Sequence, residues 1–127
     1  MSEAFWSRFF WLAGLWNVAA ALALASVPAT ACDLLFRDES VDPLVLFLIQ
    51  LFALAVAAFG VGYARVGFDV HKNRAVVQIG GACKLILFPM ALHAYFNGFG
   101  TGLLVALITG DVIWAGFFGV FLLQNRP

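Results

Sequence analysis

The sequence predicts an all-α polytopic membrane protein, a four-transmembrane-helix bundle with both termini cytoplasmic. Three observations carry that expectation. The 127-residue chain is 64% hydrophobic and only 11% charged, with a mean hydropathy of +0.98. It holds four apolar runs, each long enough to cross a bilayer of ordinary thickness. The basic residues between those runs fall almost entirely on one side. A soluble domain of this size has too little interior to hide so much apolar surface, whereas lipid serves as solvent for it. The length allows one domain, and the formal net charge of zero leaves no basic excess for nucleic acid. Twelve glycines suit closely packed membrane helices.

The first span covers about 9–27, just after Arg8, and contains Trp11, Trp16 and one amide, Asn17. Its second half is nearly all small (Ala19, Ala20, Ala21, Ala23, Ala25), which permits close approach by another helix. Pro28 is expected to end it. The stretch before Ala29-Thr30-Ala31-Cys32 resembles a signal peptide with an A-x-A site, or a loose lipobox. Its weak basic region (Arg8 offset by Glu3) and its long apolar core favour a retained helix instead. An acidic connection follows, with Asp33, Asp38, Glu39 and Asp42 against Arg37.

Asp42-Pro43 reads as a helix start, with Asp at the N-cap and Pro in the first turn. The second span covers about 44–64, and Gln50 is its only strongly polar side chain. Ala53, Ala57 and Gly60 fall at spacings of four and three, a small-residue seam on one face. The connection over residues 65–74 is basic (Arg65, Lys72, Arg74, His71 against Asp69). The third and fourth spans, about 75–96 and 101–123, are joined by Asn97-Gly98-Phe99-Gly100, a turn so short that the two must form an antiparallel hairpin. With the N-terminus inside, Arg8, Arg65, Lys72, Arg74 and Arg126 are cytoplasmic and only Arg37 lies outside. Trp6 and Trp11 suit the inner interface; His93, Tyr95 and Asn97 suit the outer one.

Two charges break the apolar runs: Lys84 in the third span and Asp111 in the fourth. A charge at membrane depth is costly and seldom faces lipid. Counted from Phe99 at the tip of the turn, Lys84 lies 15 positions before and Asp111 12 after. The offset is roughly 4–5 Å along the membrane normal, within reach of a lysine stem. The two are therefore expected to pair near mid-membrane. Gly80, Gly81 and Phe88 share the face of Lys84, and Trp114 and Ala115 share that of Asp111. Asn17 reaches a similar depth from the first span and can add a hydrogen bond. The candidate ligand-binding or buried polar cluster is Lys84, Asp111, Asn17 and Trp114, with no catalytic residue and no metal site assigned.

Two readings of the cluster stand side by side. A buried ion pair with an amide can fix helix register and partner choice with little net stability. Alternatively it lines a pocket in which Lys84 meets an anionic or carbonyl group; a proton path through Asp111 lacks a relay. Other candidates are thinner. His93 is about half a turn out of phase with Lys84, and His71 lies in the basic connection. No two histidines share a face at metal-ligand spacing. Cys32 and Cys83 are expected at different depths, and no C-x-x-C occurs. No G-x-S-x-G, Walker-type loop or H-E-x-x-H is present.

The set Gly62-Tyr63, Asn73-Arg74, Gly80-Gly81-Ala82-Cys83-Lys84, Gly110-Asp111 and Phe117-Phe118 resembles a pattern in small uncharacterised bacterial four-helix membrane proteins, broadly similar to the DoxX-like group. The resemblance covers mainly the second half of the chain. It implies a four-helix bundle in a bacterial inner membrane and implies no established reaction. The redox associations of some DoxX-like proteins find no support in these cysteines.

The function expected is that of a small integral inner-membrane protein, a non-enzymatic accessory or ligand-binding subunit. The alternative is a membrane enzyme or transporter acting on a lipid-like or quinone-like molecule. No cofactor is named; the expected partners are membrane lipid and further copies or subunits in a homo-oligomer or larger membrane complex, without nucleic acid. Topology is open to direct test: cysteine labelling is expected to reach the Arg37 connection from outside and the Lys72 connection from inside, and the reverse pattern overturns the orientation.

Overall fold

The computed structural model describes residues 1–37 and 42–125. Asp38, Glu39 and Arg126, counted above among the connection charges, lie outside the described residues. Among the described residues there are five α-helices: α1 (Glu3–Ser26), α2 (Pro28–Leu35), α3 (Pro43–Phe68), α4 (Arg74–Phe96) and α5 (Gly102–Gln124). All but α2 are long and apolar enough to cross a membrane, and the chain is a multi-pass membrane protein.

Local chemistry sets the helix ends. Ser2 caps α1 by accepting from the amide of Phe5, with Glu3 in the first turn, so the helix starts six residues before the apolar run expected from about residue 9. Asp42 caps α3 by accepting from Val45 N at 2.9 Å, with Pro43 at the first position. Thr101 caps α5 in the same way through Leu104 N. Pro28 ends α1 and also opens α2, where its missing amide is no loss; the acidic connection therefore contains a short helix the sequence reading omitted. The turn over residues 97–100 depends on Gly98, at φ +83°, a conformation a side chain would disfavour.

The long helices form two antiparallel pairs, α1 along α3 and α4 along α5. In lipid no hydrophobic force draws helices together, so close packing and hydrogen bonds must. The α1–α3 seam uses both. A Cβ on Gly14 would stand 2.7 Å from the Gly60 carbonyl, and one on Gly67 would meet Trp11 and the backbone of Ser7. Ser7 Oγ donates to the Gly67 carbonyl at 2.6 Å. Ala53 and Gly60 of the expected small-residue seam are buried here.

The pairs meet at both ends. At the end carrying Met1 and Asn125, rings fill the gap between them. Trp6 and Phe10 of α1 pack on Phe121 of α5, and Tyr63 of α3 meets Phe118 edge-on at 4.9 Å. Val66, Val70 and Val77 complete this core. Trp6, expected at the interface, is almost fully buried, because its Nε1 donates to Gln124 Oε1 at 3.2 Å while its ring packs on aromatic neighbours. Trp11 remains exposed, edge-on to Phe68. At the other end α2 leans on the α4–α5 turn: Arg37 N donates to Phe99 O, Thr101 N to Leu35 O, and Thr101 Oγ1 to Leu34 O.

Gly14→Ala is expected to destabilise the bundle by about 1–3 kcal/mol, since α1 must back away from α3. Unfolding in mixed detergent–denaturant micelles measures it; a change within error of zero contradicts the close approach.

Candidate functional site

Lys84 sits near the middle of the third long helix, ten residues into α4, on the buried face that also carries Val77, Gly80, Gly81 and Ala91. Asp111 occupies the middle of α5. Lys84 Nζ and Asp111 Oδ1 are in direct contact, as a hydrogen-bonded ion pair across the α4–α5 hairpin. The lysine side chain is 10% exposed and the aspartate 21%, so the pair is turned inward with the carboxylate on its more open side. The pairing expected from depth counting is thus present, and its cause is physical. An unpaired ammonium or carboxylate at this depth loses its hydration with nothing in return.

The glycines before Lys84 let two large rings come close. A Cβ on Gly80 would overlap the hydroxyl of Tyr63, and one on Gly81 would touch Phe118. Tyr63 is 1% exposed, and its hydroxyl lies over Gly80, one turn before Lys84. It therefore brings α3 to the site, a contribution the sequence reading missed. A signal was available: Tyr63 is the one phenol within the four apolar runs away from the Tyr95 end, and it lies at the level of Gly80 when depth is counted from the basic connection.

The other two members of the expected cluster are placed differently. Asn17 is buried, but its Nδ2 donates to the Val56 carbonyl of α3 at 3.4 Å. Among the described residues no hydrogen bond joins it to Lys84 or Asp111; its Cβ instead packs against Gly60 in the α1–α3 seam. An amide at the right depth was thus turned toward the nearer helix. Trp114, three residues beyond Asp111, packs on Phe9 at 5.0 Å and extends the aromatic core. The structure brings together Lys84 and Asp111, with Tyr63 over the adjacent Gly80 and with Asn17 and Trp114 serving neighbouring seams.

The remaining polar groups sit at the ends. Arg74 Nη2 donates to the Leu122 carbonyl at 3.1 Å, supplying a cation to the last turn of α5. Exposed His71 pairs with Glu3 at 2.9 Å. Exposed His93 lies on α4 beside Asn97, whose Nδ2 donates to the His93 carbonyl at 2.8 Å. In the connection after α3, Lys72 lies 2.8 Å from Asp69. The hydrogen bond from Lys72, with a second from the His71 amide, holds the Asp69 carboxyl below the usual carboxylate range; the same bond holds Lys72 above the usual lysine value. Cys32 is buried on α2, and Cys83 is exposed at mid-α4.

Chemically, the Lys84–Asp111 pair can clamp two helices or present an ammonium and a carboxylate to a third group. The clamp has a sharp signature. Lys84→Met alone strands a carboxylate and is expected to cost about 3–5 kcal/mol, while Lys84→Met with Asp111→Leu recovers most of that loss. Unfolding of both variants in detergent checks it; simple additivity of the two single losses contradicts a coupled pair. Comparison with known protein families, characterised proteins and solved structures finds no match to this chain.

Proposed function

We propose that the chain is a small integral protein of a bacterial inner membrane, with both termini cytoplasmic. In this reading it acts as a non-enzymatic accessory or ligand-binding subunit, in a homo-oligomer or larger membrane complex. Kinship with the DoxX-like group belongs to the same proposal. The Lys84–Asp111 pair holds the last hairpin in register and so defines the face that the α4–α5 unit offers to a partner.

One observation carries the reading. The two charges are in direct contact with each other, and neither of two grooves along α1 is lined by Lys84 or Asp111. A pair that meets directly across two helices fixes their register. The basic connection supports the orientation: Arg65, Lys72 and Arg74 lie at the same end as Met1, while Asp33 and Asp42 lie at the opposite end.

A second reading has its own support. The Asp111 carboxylate keeps partial exposure, and a side chain added at the adjacent Gly110 would meet nothing within 4 Å. That opening suits lateral entry of a lipid-like or quinone-like molecule, as in a membrane enzyme or transporter.

Native mass spectrometry of the protein released from its own membrane separates the two. The accessory reading expects the chain, its multiples or a protein partner, with an adduct pattern unchanged in Lys84→Met/Asp111→Leu. A quinone-sized or lipid-sized adduct that disappears in that double variant overturns it in favour of the second reading.

A further inference from the structure

Where α1 and α3 cross, the closely packed backbones of Gly14 and Gly60 form the floor of a depression on the outer surface. It opens into a shallow groove of about 620 Å³ whose lining includes Arg8, Leu15, Val18, Gly60 and Val61. From Arg8 to Val18 the groove follows α1 for about 15 Å. Its walls are almost wholly apolar, and its one charged lining residue, Arg8, stands at the end nearest Met1.

That end is the polar one. Arg65 lies one turn beyond Val61 on the same face of α3, so it flanks the mouth from the other helix. Arg8 and Arg65 are both exposed, and among the described residues neither forms an ion pair with a carboxylate. Arg8 and Leu12 also line a second apolar groove of about 410 Å³ on the other side of α1, toward Phe5 and Phe9. That groove runs past Arg8 to Ser2, toward the polar end, so the channel leading from the arginines into the apolar interior is the one along Leu15 and Val18.

We propose that this surface is a binding site for an anionic phospholipid of the leaflet at the terminal end. Arg8 and Arg65 take the headgroup phosphate, and an acyl chain lies along the Arg8–Val18 groove over the α1–α3 crossing. The match is one of charge and shape together. A guanidinium offers paired N–H donors to phosphate oxygens, and an apolar channel leading away from it fits hydrocarbon. Orientation alone accounts for cations at this end; an anionic headgroup would in addition neutralise the two exposed guanidinium groups. The site is independent of the Lys84–Asp111 pair.

The test is native mass spectrometry of the protein in mild detergent with added phosphatidylglycerol or phosphatidylcholine. Wild type is expected to retain phosphatidylglycerol preferentially. Arg8→Gln and Arg65→Gln should each weaken retention about fivefold and the double variant about thirtyfold, from two lost surface cations. Val61→Trp, which fills the groove from an exposed position, should remove adducts of both lipids, while Arg37→Gln at the opposite end should change nothing. Equal retention of the two lipids by wild type, or undiminished phosphatidylglycerol retention in the double variant, overturns the proposal. So does a lipid-free dimer that Val61→Trp dissociates, which would put a second copy in the groove.

Discussion

The cost of a charge in hydrocarbon governs this structure. Lys84 cannot leave the apolar run that contains it, and lipid offers no hydration, so a counter-charge has to come from the protein. Asp111 provides it from the neighbouring helix. Because both residues are fixed on their helices, the contact sets the axial offset of α4 against α5. The short 97–100 turn and the Arg74 bond to the Leu122 carbonyl agree with the same register from the two ends of the hairpin. Such a pair contributes specificity more than net stability, since desolvation offsets much of the attraction.

The other helix pair solves the same problem without charge. Between α1 and α3 the backbones approach until Gly14 lies against the Gly60 carbonyl. Ser7 and Asn17 add hydrogen bonds to carbonyls of α3. The two pairs then differ in how they reach each other. Near the termini, Trp6, Phe10, Tyr63, Phe118 and Phe121 span a gap that small residues would leave empty. At the far end the short helix α2 and its contacts with residues 99–101 bridge them. The aromatic core forms a floor beneath Lys84 and Asp111, and Tyr63 belongs to both layers, since it touches Phe118 and lies over Gly80.

Much of this was legible in the residues. Four apolar runs demand four spanning helices, because a backbone in hydrocarbon must satisfy its own hydrogen bonds. Asp42-Pro43 and the glycine turn mark boundaries by local chemistry, and helix geometry converts positions into depth, which is why Lys84 and Asp111 could be matched. Depth, however, is one coordinate of two. Asn17 has the right depth and the wrong azimuth: it turns to Val56 because α1 packs on α3. Trp6 has the composition of an interface residue, yet the gap between helix pairs draws it inward. The helix α2 was hidden in a stretch whose acidic, proline-marked composition reads as a connection.

The amino-acid sequence by itself determined that the chain crosses a membrane, how many times, and which two charges had to meet. Those follow from transfer energies and from a fixed rise per residue, both local properties. The tertiary structure decided which helix lies beside which, and therefore that Tyr63 packs over Gly80 next to the pair while Asn17 serves another seam. Neighbour choice depends on how the surfaces of all four helices fit at once. In lipid, where apolar residues gain nothing by leaving the solvent, that fit rests on a few glycines and rings whose partners are far away in the chain.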